Sequence, residues 1–151
     1  MLRSLLLCAV LALAGCGDSS SGDPAKVTYA ESLGVDLAAM NKSESGLYTQ
    51  DLVVGTGKEA VKGSRVQVHY AGWLTDGSMF DNSRARGEAF TFSVGAGQVI
   101  DGWDEGLVGM RAGGKRKLVI PSDLGYGSRG SAPVIPGDAV LVFDVELMNV
   151  Y

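Results

Sequence analysis

Gln98-Val99-Ile100-Asp101-Gly102-Trp103-Asp104-Glu105-Gly106-Leu107 decides how the rest of the chain is read. Val99, Trp103 and Leu107 recur every four residues and Ile100 lies three before Trp103, so the spacing predicts a short helix with one apolar stripe. Asp101, Asp104 and Glu105 fall mostly outside that stripe. On either side lie strand-length runs rich in Val, Ile, Phe, Tyr and Leu, separated by Gly, Asp and Pro, and no other stretch after Gly46 has helical periodicity. One helix must then serve a whole sheet. The expected fold is α+β, a twisted antiparallel half-barrel wrapped round that helix. Trp103 is too large to be covered completely, and two readings of it stand side by side: plain core, or the floor of a cleft.

Working outward, Arg65 to Leu74 (RVQVHYAGWL) is the clearest strand, with Val66, Val68 and Tyr70 on one face and Gln67, His69 and Ala71 on the other. Leu47 to Val54, Phe90 to Val94, Arg116 to Ile120 and Val140 to Val150 are further strands. In the last, Val140, Val142 and Asp144 share one face, and Leu141, Phe143, Val145 and Leu147 the other. Thr75-Asp76-Gly77 reads as a hairpin turn. Phe80 and Asp81 are neighbours, so in an extended chain they point to opposite faces unless a bulge turns them. Arg84 to Gly87 reads as a loop. Ser122 to Gly137, rich in Gly and Pro, is too long for a simple connection and is a candidate functional loop.

Length and composition support one domain: 151 residues, 46% apolar and 20% charged. Arg3, an apolar run from Leu5 to Leu13, and Leu13-Ala14-Gly15-Cys16 form a secretory signal. That tetrapeptide resembles the lipobox of bacterial lipoproteins, which implies cleavage before Cys16 and its lipidation. Residues 1–15 are then the signal peptide, 16–46 a lipid-anchored tether and linker, and 47–151 the folded domain. Gly17 after the cysteine favours the outer membrane, facing the periplasm, if the cell is Gram-negative. Within the linker, Leu33, Leu37 and Met40 have weak helical spacing broken by Gly34: a short docking or dimerising helix, or nothing ordered.

Several chemistries are excluded. With Cys8 in the signal and Cys16 lipidated, no thiol remains for a disulfide, a nucleophile or a metal. His69 is the only histidine and makes no metal site or triad by itself; it reads as a solvent-side strand residue. Removing Arg3 leaves 12 basic against 17 acidic residues, a net charge of −5, which argues against nucleic acid as a partner. The one basic run, Lys115-Arg116-Lys117, reads as a solvated strand start. Gly55-Thr56-Gly57-Lys58 lacks the spacing of a phosphate loop, and Gly95-Ala96-Gly97 lacks the third glycine of a dinucleotide fingerprint. No cofactor is expected.

Tyr70, Phe80-Asp81, Arg86, Phe90, Val99-Ile100, Trp103, Tyr126-Gly127, Ile135-Pro136 and Phe143-Asp144-Val145-Glu146-Leu147 stand in the order and spacing of a known family. From about Leu47 to Tyr151 the chain resembles the FK506-binding-protein family of peptidyl-prolyl isomerases. The resemblance implies the half-barrel fold, cis-trans isomerisation of Xaa-Pro bonds in exported polypeptides, and binding of FK506- or rapamycin-like ligands. It implies Trp103 as pocket floor, with Tyr70, Phe80, Phe90, Val99, Ile100, Ile135 and Phe143 as walls. Tyr126 becomes the phenol that hydrogen-bonds a substrate carbonyl, and Asp81 and Arg86 the polar pair at the rim. Catalysis would rest on Asp81, Tyr126, Phe80 and Trp103. Two roles for Asp81 remain open, acting on the substrate or holding the loop through its ion pair with Arg86. Ser131 stands where many members carry histidine, which bears on ligand preference. Two alternatives to an enzyme are a module that binds proline-containing segments with little turnover and a structural envelope lipoprotein whose aromatics are all core.

Overall fold

The computed structural model describes residues 22–151, so Cys16 and the signal sequence lie outside it. Seven strands form one antiparallel sheet: β1 (Asn41–Lys42), β2 (Tyr48–Val53), β3 (Arg65–Leu74), β4 (Met79–Asn82), β5 (Phe90–Ser93), β6 (Lys115–Ile120) and β7 (Leu141–Val150). Their order is β1-β2-β6-β7-β3-β4, and β5 pairs with the half of the β3 edge that β4 leaves free. The C-terminal strand thus sits at the centre, between β6 and β3.

Among the described residues two short α-helices accompany the sheet, α1 (Ser83–Arg86), where the sequence reads as a loop, and α2 (Asp101–Gly106). Helix α2 is shorter than the periodicity predicts, because Ile100 is already its cap and Val99 precedes it. Trp103 and Leu107 still point into the sheet, 4% and 0% exposed. Two glycines let α2 approach closely: a Cβ on Gly102 would lie 2.6 Å from Ile120, and one on Gly106 2.9 Å from Leu118. Asp104, expected outside the stripe, turns back and accepts the N–H groups of Gly95 (2.8 Å) and Gly97 (3.0 Å). It thereby ties the loop before α2 to the helix.

Each strand face has its own core. Val66, Val68, Leu118, Ile120, Phe143, Val145 and Leu147 pack with α2 on the concave side. Val119, Val140 and Val142 form the other face and are also fully buried, because residues 22–40 lie across them. The stretch expected as tether and linker is therefore, from Gly22 onward, a packed strap of three short 3-10 turns carrying Val27, Leu33 and Met40 onto the sheet. Its backbone is pinned at its start and near its middle: Ser122 N–H donates to the Gly22 carbonyl (3.0 Å), and Ala30 N–H to that of Thr75 (2.8 Å). The reason is visible where β7 begins: Val140, just before the strand, and Val142 within it are too apolar to face water.

Nor is the basic run Lys115-Arg116-Lys117 a solvated strand start. Arg116 pairs with Asp51 (2.7 Å) and donates to the Gly106 carbonyl (2.8 Å) at the C-terminal end of α2. Lys117 is buried beneath the strap, donating to the Leu33 carbonyl at 2.7 Å and facing Asp144 Oδ1 at 2.9 Å. A buried ammonium requires such partners, and strap and sheet supply one each.

Candidate active site

The pocket opens on the concave side and occupies about 200 Å³, lined by Tyr70, Phe80, Asp81, Phe90, Gln98, Val99, Ile100, Trp103, Tyr126 and Phe143. That volume suits one small ring with its adjoining amide, being below the ~300–1,000 Å³ of sites that engulf a drug-sized ligand. Trp103 is more fully covered than expected, yet the remaining sliver of indole is the floor. Its ring meets Tyr70 at 4.8 Å and Phe143 at 5.3 Å, both edge-on, an arrangement that ring quadrupoles favour and that fixes all three planes.

Phe80 and Asp81 both face the pocket because of a bulge. Gly72 pairs with Asp81 while Trp73 pairs with Met79, which leaves Phe80 as the extra residue. The bulge answers the alternation problem raised by the sequence. Space for it comes from Gly72, where a Cβ would lie 2.7 Å from the rings of both Phe80 and Phe143. Those rings then meet edge-on at 5.4 Å.

The polar side of the pocket is one network. Tyr70 donates its phenol proton to Asp81 Oδ2 (2.5 Å), Arg86 donates to the same phenolic oxygen (3.0 Å), and Arg86 and Asp81 form a close ion pair. Both hydroxyls of the site are poor acids here. Burial, then the hydrogen bond to Asp81, raises the Tyr70 phenol above its ordinary range, and burial followed by the Asp81 charge does the same to Tyr126. Tyr126 is 40% exposed on the loop after β6, free to offer its proton to something entering the pocket.

Two residues named from sequence lie elsewhere. Ile135 is buried in the concave core at the base of the loop tip, where it exchanges two backbone hydrogen bonds with Ser131 (2.8 and 2.9 Å), and it does not line the pocket. Arg86 stands outside the wall, half-exposed, and reaches the site only through Asp81 and Tyr70. Conversely, Gln98 lines the pocket and was not singled out. Its side chain accepts the Ser93 N–H (2.9 Å), and a glutamine directly before Val99-Ile100 was the available signal. His69 is half-buried and bonded to Ser83 rather than solvated. Among the described residues no cluster of His, Cys, Asp or Glu could hold a metal ion, and no helix is long and apolar enough to cross a membrane.

A half-barrel closed over one indole, with a ring of aromatics above it, is a specific pattern to find in other chains. The sequence profile described as FKBP-type peptidyl-prolyl cis-trans isomerase matches residues 56–148. This chain belongs to that family. Among its relatives, an FK506-binding protein of Neisseria meningitidis serogroup B is 57% identical over 106 residues, covering 70% of this chain and 97% of its own. The mouse peptidyl-prolyl cis-trans isomerase FKBP2 is 58% identical over 89 residues, 59% of this chain and 64% of its own. Of solved structures, AtFKBP13 superposes with a TM-score of 0.70 at 44% identity, covering 74% of this chain and 98% of that one. FkpA from Escherichia coli gives 0.70 at 43% identity, covering 80% and 55%. The chain is thus an FKBP-type isomerase, acting on Xaa-Pro peptide bonds, and the family's fold is the one described above.

Proposed function

We propose that the pocket over Trp103 is where this isomerase turns its substrate bond, with Trp103 as floor, Tyr70, Phe80, Phe90, Val99, Ile100 and Phe143 as walls, and Tyr126 as the donor to a substrate carbonyl. The carrying observation is an open, ring-lined hollow whose only charged wall residue, Asp81, is already engaged by Tyr70 and Arg86. Rotation about an Xaa-Pro bond crosses a barrier of ~18–20 kcal/mol as amide resonance is lost. No bond is made or broken. The planar amide is polar and strongly hydrated and the twisted one less so, so a site that strips water from the amide raises the ground state relative to the transition state. A thousandfold acceleration needs only ~4 kcal/mol, which desolvation and one or two directed hydrogen bonds can supply. The raised phenol of Tyr126 suits this, because it remains a proton donor throughout the neutral range.

Asp81 serves here chiefly to hold: its two oxygens orient the Tyr70 phenol and the Arg86 guanidinium, and through them the wall. Proline-containing stretches of unfolded or partly folded chains are the substrates, and FK506- or rapamycin-like ligands are the inhibitors expected at the same hollow. The leader and Leu13-Ala14-Gly15-Cys16 support an envelope protein, anchored through lipidated Cys16 and acting on exported polypeptides, with the outer membrane favoured by Gly17. Exchange spectroscopy on a short Xaa-Pro peptide tests the site. Wild type should enhance cis-trans exchange and Tyr126→Phe should do so several-fold less; equal rates for the two would remove Tyr126 from the mechanism. Metabolic labelling with a fatty acid, lost in Cys16→Ala, tests the anchor.

A further inference from the structure

One polar side chain beside the pocket is sealed completely. Ser83, the first residue of α1, is 0% exposed, and its Oγ accepts the Tyr70 N–H (2.8 Å) while lying 3.3 Å from the Tyr70 carbonyl and 2.9 Å from His69 Nδ1. The strand register explains why a hydroxyl is needed there. Along this edge of β3, Val68 is served by Phe90 of β5, and Ala71 and Gly72 by Asn82 and Asp81 of β4. Tyr70 falls in the gap between the two partners, and its backbone groups face that gap. A single side-chain oxygen thus stands in for the missing strand.

The same oxygen ties together the pieces of the polar wall. Asp81 lies two residues before Ser83 and Arg86 three residues after it, and both side chains must meet the Tyr70 phenol. Anchoring Ser83 to the Tyr70 backbone fixes the turn that carries both partners against the residue that they bind. The hydroxyl proton has two acceptors within reach, His69 Nδ1 and the Tyr70 carbonyl, so His69 on the opposite face of β3 braces the joint from behind.

We infer that Ser83, braced by His69, is a positioning residue for isomerisation, acting through Tyr70 and its contacts with Asp81 and Arg86. This rests on the assignment of the pocket made above. In Ser83→Ala the Tyr70 N–H and carbonyl lose their partner while the fold keeps every wall residue, and turnover should fall about tenfold. Ser83→Cys keeps the volume but offers only a weak donor and acceptor, so a similar fall there separates hydrogen bonding from packing, and serves if the alanine variant does not fold. The deciding measurement is a double-mutant cycle with Tyr70→Phe, read as kcat/KM by peptide exchange on variants shown folded by circular dichroism. A residue acting through Tyr70 loses its effect once the phenol is gone, so Ser83→Ala or Ser83→Cys should cost less than about twofold in the Tyr70→Phe background. Equal losses in both backgrounds, or wild-type turnover in both Ser83 variants, overturn the inference. If Tyr70→Phe alone leaves turnover at the wild-type level, the inference falls together with the reading of the polar wall on which it rests.

Discussion

Replacing Lys117 by methionine tests whether the strap is part of the fold. The Lys117 side chain is 7% exposed, and its ammonium faces Asp144 Oδ1 at 2.9 Å without hydrogen-bond geometry, donates to the Leu33 carbonyl at 2.7 Å and lies 5.9 Å over the Trp73 ring. Methionine fills similar space but strands the Asp144 carboxylate and the Leu33 carbonyl. Breaking a fully buried pair by removing one partner costs about 3–5 kcal/mol. Asp144 keeps 20% of its side chain exposed, so water offsets part of that penalty and about 2–3 kcal/mol is expected. At roughly 3–5 °C per kcal/mol for a domain of this size, Tm should fall by about 6–15 °C in a calorimetric scan. Adding Asp144→Leu removes the stranded charge and should restore more than half of the loss. Turnover measured well below the transition should stay within about twofold of wild type, because Lys117 lies on the face opposite Trp103 and the two sites have no partner in common. A single variant as stable as wild type, or a double variant no better than the single, would show that the strap is not docked through this lysine.

Further outcomes follow from other parts of the structure. Asp81→Ala should lower turnover about tenfold while costing at most about 1 kcal/mol of stability, since its ion pair with Arg86 is partly exposed; a protein unfolded by this change would make the pair structural instead. Gly102→Ala should destabilise by about 1–3 kcal/mol and reduce activity, because the new methyl meets Ile120 and pushes Trp103 off its seat; denaturant unfolding and exchange rates check both. Burial raises the phenols of Tyr29, Tyr70 and Tyr126, Tyr29 furthest. The folded protein thus holds these protons more tightly than the unfolded chain, so their contribution is intact below about pH 10 and is lost as pH climbs through the folded values. Denaturant midpoints should decline above about pH 10, and less steeply in Tyr29→Phe; identical alkaline declines would contradict this assignment.

Much of the fold was legible because it rests on periodicity. Residues Arg65 to Leu74 form the strand that their alternation announces, and the two faces of β7 divide as its sequence divides. Trp103 was legible as part of the buried stripe of α2, but the spacing left core and cleft floor both open, and the pocket beside it appears only in the structure. The bulge at Phe80 was legible only as a question, since alternation shows that two neighbours conflict without showing which way the backbone yields. The strap was not legible: its turns are three residues long, too short for a period, and what holds it is packing on Val140 and Val142, a hundred or more residues further along the chain. Lys117 looked solvated for the same reason, its partners being Leu33 and Asp144. Ile135 fell behind the wall because the loop tip folds back on Ser131, a local pairing with no periodic signature. Ser83 had the least signal of all, one serine among several, made structural by a gap between two strands that only the register reveals.

The bond between Gly22 and Ser122 joins the start of the strap to the foot of the loop that carries Tyr126. Mechanical load applied from the amino-terminal side would reach that foot before it reached the sheet. Whatever loosens the strap at Gly22 therefore also strips a hydrogen-bond partner from the foot of the cleft's lip.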